Sequence, residues 1–459
     1  MRIILKIGKW LLAFIIFALS AAAGWLYQSP PELIKVAAGY SAKIVCSNVF
    51  VAGRDPDEVL KIDVQAPGHW LLGYMSVQVD RDTRMVTAGV LGIFGNGLAI
   101  ARDGFGCTTV PNGDVASVLP VPSLDAAPAR SDAVWPEGSS VAPSQDPAVA
   151  AILDDGKLAG SGVRAMVVVH NGRIVGERYA EGFSPETPLL GWSMTKSVTA
   201  AIIGTLVKDG KMALDHKQLF EPWNADGRAA ISVADLMAMS SGLEFNEDYG
   251  AVTDVTRMLY TEPDMAGFAA AKPLAAPVGT VFSYSSGTSL MLTRLWQNAA
   301  GGEALSYPKK ALFDPIGMTS AVLEPDARGT FVGSSYLYAT ARDWARFGQF
   351  MLQDGVWNGK EILPAGFVAW MREEVPPSKG QYGKGQIWLY GPEGDTPAGQ
   401  DPDVGFDLPG DTYWFEGHDG QSVAVIPSKR LVVVRMGLTP FKLAYKPQGL
   451  VAALAKVVE

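Results

Sequence analysis

Two apolar hairpins stand at opposite ends of residues 148 to 459, and they confine that region to folds in which its first and last strands meet. GVRAMVVVH (162–170) and RIVGERYA (173–180) flank Asn171-Gly172, the strongest short turn signal, because both residues tolerate positive φ. SVAVIP (422–427) and RLVVVRMG (430–437) form the second hairpin, and LVAALAKVV (450–458) closes the region with helical apolar spacing. Between the hairpins the patterns are mainly helical. SVADLMAMSSG (232–242) opens with a Ser232-x-x-Asp235 capping box and stops at Gly242, and TARDWARFGQFMLQDG repeats the device with Thr340, Asp343 and Gly355. The expected fold is therefore α+β: one antiparallel sheet shared by strands from both ends, flanked by helices, with a helical insertion. No internal repeat is visible.

Upstream, Arg2, Lys6 and Lys9 precede WLLAFIIFALSAAAGWLY (10–27), an uncharged run of 18 residues. That length suffices to cross a bilayer as a helix, with the basic side in the cytoplasm. Ala21 and Ala23 also make a signal-peptide cleavage pattern. Residues 1–30 are read as an anchor ahead of a cleaved signal, and either reading exports the remainder, to the periplasm or another extracytoplasmic space, with the anchor in the inner membrane. Residues 31–108 form a small, mostly β module, with strands expected at 76–80, 85–91 and 98–102. Its Cys46 and Cys107, the chain's two cysteines, suggest a disulfide in an exported protein, two separate thiols being the alternative. Residues 109–147, rich in Pro, Ala, Ser and Asp, are expected to be a linker or a strap on the domain that follows at 148–459.

Several function classes are disfavoured. The net charge is −9, and no Lys/Arg stripe lies beyond the N-terminus, which argues against nucleic acid as a partner. His69, His170 and His216 lack a second ligand at metal spacing. The G-x-S-x-G nucleophile elbow is absent, as is a Gly-rich phosphate loop after a strand. No metal or cofactor is expected. Trp192, Trp344, Trp388 and Trp414 are read as core packing, with a substrate cleft as the alternative.

The chemistry centres on GWSMTKSVTA (191–200). Ser193 and Lys196 share one helical face if residues 193–208 form a helix ending at Asp209-Gly210. A serine hydroxyl needs a proton acceptor, and a lysine becomes one when burial lowers its pKa. Apolar or small neighbours (Met194, Val198, Ala200, Ala201) suit a desolvated amine, and the Ser193 N–H at the helix N-terminus suits an oxyanion. Ser-x-x-Lys alone is weak: Ser306 and Lys309 make a second copy, interrupted by Pro308.

Partner motifs decide between the copies. PVGTVFSYSSGTSLML holds Tyr284 and Ser286, and FEGHDGQSVAVIP places His418-Asp419-Gly420 at a hairpin. With ISVADLMAMSSGL (231–243) and GTFVGSSYLYATARDWARFG (329–348), residues 148–459 resemble the penicillin-recognising serine hydrolases. That family includes class C β-lactamases, DD-peptidases, related esterases and 6-aminohexanoate-dimer hydrolases, and the last two branches resemble this chain most. The resemblance implies a β-lactamase/transpeptidase-like fold. It implies an acyl-enzyme on Ser193, with Lys196 as its proton-accepting neighbour and Tyr284 as a proton shuttle, its phenol pKa expected to be lowered by the nearby lysine. The oxyanion hole would be the backbone N–H groups of Ser193 and Gln421, and Ser286, His418, Asp419 and Gly420 would contact substrate. Two departures, Ser286 for the Asn of Tyr-x-Asn and His418 for the Lys of Lys-Thr-Gly, favour a small-molecule ester or amide as substrate. No carboxylate for deacylation is assignable, so a non-turnover penicillin-recognising binder or sensor is the alternative, and a true β-lactamase or DD-peptidase a further one.

Overall fold

In the computed structural model, residues 2–125, 131–141, 146–397 and 399–458 are described, with side chains from Lys6 onward. Parts of the expected linker, 126–130 and 142–145, lie outside the described residues. The chain begins with helix α1 (Arg2–Gln28). Its segment Lys6–Gln28 is long and apolar enough to cross a membrane, with mean hydropathy 1.9 and no burial against the rest of the protein.

The next unit departs from the expected mostly β module. It opens with a 19-residue helix, α2 (Glu32–Phe50), followed by short turns and four strands: β1 (Met75–Asp80), β2 (Met85–Val90), β3 (Phe94–Arg102) and β4 (Gly106–Thr109). Thirteen residues of α2, from Val36 to Val49, are buried, so the helix carries no polar face whose period could reveal it. The strands form one antiparallel sheet in sequential order, and a Cys46–Cys107 disulfide ties α2 to β4.

This unit is packed into the rest of the protein rather than tethered to it. One continuous hydrophobic core includes Val45 and Val86 of the N-terminal unit together with Leu259 and Phe331. The carbonyl of Tyr260 lies 2.6 Å from where a Cβ on Gly39 would be, so glycine permits the close approach of α2. Buried charges reinforce the joint. Lys43 pairs with Glu324, which also accepts hydrogen bonds from Ser47 Oγ (2.8 Å) and the Cys107 N–H (2.6 Å). Arg164 pairs with Asp63 at 2.7 Å. Within 131–141 the chain lies on the same body: Arg346 donates to the carbonyls of Pro136 (3.3 Å) and Gly138 (2.6 Å).

The main sheet is built as the paired hairpins require. It contains β5 (Val163–His170) and β6 (Arg173–Tyr179), with Asn171 and Gly172 both at positive φ in the turn. Three helices used below follow: α3 (Met194–Lys208), α4 (Ser286–Ala300) and α5 (Ala341–Leu352). The remaining strands are β7 (Tyr382–Gly383), β8 (Ile387–Trp388), β9 (Tyr413–Gly417), β10 (Gln421–Ile426) and β11 (Leu431–Gly437). Helix α6 (Gln448–Val457) ends the fold. The antiparallel order is β7-β8-β9-β10-β11-β5-β6, and β11 beside β5 joins the two ends of the region. Helix α5 packs Phe347 against Phe415 on one face of the sheet, while Leu450 and Leu454 of α6 cover the other. The Ser232 capping box forms as expected, although its helix is only Val233–Met237.

Candidate active site

The backbone around Ser193 is set by a strained residue and a helix end. Trp192 is held at φ 48°, a conformation that costs a non-glycine residue about 1–3 kcal/mol and persists only where packing dictates it. Ser193 is the N-cap of α3, so its N–H lies at the positive end of a fifteen-residue helix.

Lys196 follows one turn later and is 1% exposed. Its Nζ donates to Ser193 Oγ (3.0 Å), Ser286 Oγ (3.1 Å) and the Ser334 carbonyl (3.0 Å). Desolvation lowers its pKa to about 8, against the opposing pull of Glu247. Glu247 lies on the far side of Ser286. It accepts from the Ser286 N–H (2.7 Å) and from Ser286 Oγ (2.5 Å). The Ser286 hydroxyl thus receives a hydrogen bond from the amine and gives one to the carboxylate, a proton-conducting arrangement that an asparagine amide would not provide. Burial pushes the Glu247 pKa up, and the charge of Lys196 resists this most strongly.

Tyr284 immediately precedes the cap of α4. Its ring lies 4.8 Å from Lys196 Nζ and packs against Trp388 (5.2 Å) and Tyr382 (6.0 Å). The expected lowering of its pKa is corrected here. Burial raises it well above 10, Tyr382 and Glu247 add to the rise, and the Ser193 hydroxyl opposes it only in part. Desolvation of the phenolate outweighs the neighbouring amine, so Tyr284 is a neutral phenol at working pH.

His418, Asp419 and Gly420 form a tight turn between β9 and β10, with Asp419 at φ 57°. The His418 ring stacks on Tyr249 (4.9 Å) and meets Trp192 edge-on (5.5 Å), and its Nε2 lies 3.5 Å from Asp419 Oδ1. Gln421 opens β10. Its Nε2 donates to the carbonyls of His418 (3.1 Å) and Gly437 (2.5 Å), and its Oε1 accepts from the Gly437 N–H (2.8 Å), which pins the turn. The Gly191 carbonyl fills the place a Cβ on Gly417 would take, so the end of β9 abuts the residue two before Ser193. The competing Ser306-Lys309 copy is engaged elsewhere: Ser306 Oγ donates to the Glu303 carbonyl, and Lys309 pairs with Asp314 at 2.6 Å.

Two cavities meet at His418 and Asp419. The larger, about 310 Å³, is lined by Tyr284, Trp388, Glu416 and Phe441. The smaller, about 140 Å³, is lined by Tyr40, Leu72, Trp192 and Tyr249. Trp192 and Trp388 therefore face the cleft, whereas Trp344 and Trp414 are core residues. Among the described residues, Glu416 Oε1 is buried without a hydrogen-bond partner, and burial pushes its pKa well above the usual carboxylate range. Sequence reasoning missed Glu247, Tyr249 and Glu416. The first two sit in EFNEDYG (244–250), a polar loop with no period or motif to mark them.

Residues 148–442 match the beta-lactamase family model. The chain belongs to the beta-lactamase family. A 6-aminohexanoate-dimer hydrolase of Paenarthrobacter ureafaciens is 26% identical over 224 residues, covering 44% of this chain and 55% of that protein. The chain thus spans about half the length of this curated relative. Among solved structures, a putative 6-aminohexanoate-dimer hydrolase from Bacillus anthracis superposes with TM-score 0.53 at 23% identity, over 67% of this chain and 79% of that one. EstCE1, a hydrolase with promiscuous acyltransferase activity, gives TM-score 0.53 at 16% identity, over 67% and 97%. At these identities the structural likeness concerns the fold: a beta-lactamase-type antiparallel sheet with flanking helices. The beta-lactamase match begins at residue 148, so α1, α2 and β1–β4 lie outside it.

Proposed function

We propose that the chain is a serine hydrolase that cleaves ester or small amide bonds through an acyl-enzyme on Ser193. The observation that carries this reading is the 3.0 Å approach of a buried, pKa-lowered Lys196 amine to Ser193 Oγ. The neutral amine takes the hydroxyl proton as Oγ attacks the carbonyl carbon. The N–H groups of Ser193 and Gln421 receive the oxyanion. Tyr284, protonated at working pH, gives its proton to the departing alcohol or amine and regains one from the Lys196 ammonium. Water then attacks the acyl carbonyl, Lys196 accepts its proton, and the acid leaves as Ser193 recovers its hydrogen. Glu247, through Ser286, holds Lys196 in place and stabilises its protonated form. The names of the curated relative and of EstCE1 agree with amide or ester cleavage. On the same reading α1 anchors a body exported to an oxidising compartment, a placement that the Cys46–Cys107 disulfide supports. Both thiols free in protein isolated from its own cells would contradict that placement.

The pH profile tests the roles. A base with pKa about 8 is mostly protonated at neutral pH, so kcat/KM is expected to rise about tenfold per pH unit below that value and to level off above it. Glu247→Gln removes the charge that favours the ammonium, so the midpoint is expected to move to lower pH. A midpoint unmoved by Glu247→Gln would remove the carboxylate from the relay.

A further inference from the structure

The two cavities divide a bound substrate, given the roles assigned to Ser193 and Tyr284 above. Tyr284, the proton donor to the leaving group, lines the larger cavity with Trp388 and Glu416. The leaving group therefore occupies that side. Trp192, the residue before Ser193, lines the smaller cavity with His418, which leaves that side for the acyl half.

The near wall of that smaller cavity is Trp192, Tyr249 and His418, all from the catalytic region. Its far wall is not. Leu33, Val36 and Ala37 come from α2, and Leu71 and Leu72 from the turn before β1. These apolar side chains, joined by Tyr40 and His69, come from the unit that lies outside the family match. The five aliphatic side chains of this wall favour a ligand that gains by leaving water. The wall is also fixed. The buried Lys43–Glu324 pair, the Arg164–Asp63 pair and the Cys46–Cys107 disulfide lock the unit to the catalytic region or to itself.

We propose that α2 and the 67–72 turn form the acyl-binding pocket of this hydrolase, and that its substrates are esters or amides of hydrocarbon acyl groups longer than acetyl. The N-terminal unit is then a specificity element, and the length of chain accepted is set by the depth of the cavity between α2 and Trp192.

The test is a series of 4-nitrophenyl esters from acetyl to octanoyl, measured on the full chain, Leu33→Trp and Ala37→Phe. In the parent, kcat/KM is expected to rise about fourfold per added methylene until the cavity is full. In both variants the hexanoyl-to-acetyl ratio is expected to fall toward one. The ratio is read within one preparation, so a smaller folded fraction leaves it unmoved. Leu33 is partly exposed at the cavity mouth, so a tryptophan there stays compatible with folding if Ala37→Phe is not. A flat chain-length profile in the parent, or a ratio unchanged in both variants, would overturn the pocket while leaving the hydrolase reading intact. A parent that turns over neither these esters nor the matching 4-nitroanilides would overturn both.

Discussion

With Lys196 replaced by methionine, kcat/KM for ester hydrolysis is expected to fall by about three orders of magnitude, in a chain that still folds. The size of the loss is that of a positioned general base. No other amine replaces it, because Lys196 Nζ is the group that donates to Ser193 Oγ while also contacting Ser286 and the Ser334 carbonyl. The fold is retained because methionine has nearly the same unbranched reach, and the removed desolvation penalty offsets the donor lost by Ser286 Oγ and the Ser334 carbonyl. Glu247 still accepts two hydrogen bonds from Ser286, and without the opposing ammonium its already raised pKa rises further. Steady-state kinetics and urea denaturation on the same preparation measure both effects. A loss below tenfold with the fold intact would show that another group takes the Ser193 proton.

Glu324→Leu is expected to destabilise the protein by about 3–5 kcal/mol, the cost of leaving a buried cation without its partner. Lys43 is 1% exposed and Glu324 wholly buried. Burial pulls the Lys43 pKa down and pushes the Glu324 pKa up, and each is opposed chiefly by the other. Removing the carboxylate also strips the Cys107 N–H and the Ser47 hydroxyl of their acceptor. The double variant Lys43→Met/Glu324→Leu is expected to recover much of the loss, since an apolar pair of similar volume can replace a buried ion pair. Denaturant midpoints with matched m-values decide the question. A cost below about 1 kcal/mol for the single variant would mean that apolar packing alone holds the N-terminal unit in place.

The main sheet and the pairing of Ser193 with Lys196 are legible in the sequence because they depend on short-range signals. Asn171-Gly172, the Ser232 capping box and the i, i+3 spacing of Ser193 and Lys196 each act within a few residues. What stayed hidden depends on distant contacts. Helix α2 is buried nearly all round, which erases the period that would mark it. Glu247 reaches Ser286 across 39 residues from a polar loop. The far wall of the smaller cavity belongs to a unit whose strands looked unconnected to any chemistry. Tyr284 lies beside Lys196, yet its burial, which no short-range signal shows, sets the sign of its pKa shift.

Intact-mass and peptide analysis during turnover of a slow 4-nitrophenyl ester tests the central claim most directly. The expected result is an acyl adduct on the peptide bearing Ser193 that forms in a burst, decays with steady product release, and is absent, with turnover lost, in Ser193→Ala. An adduct on another peptide, or multiple turnovers surviving Ser193→Ala, would contradict it.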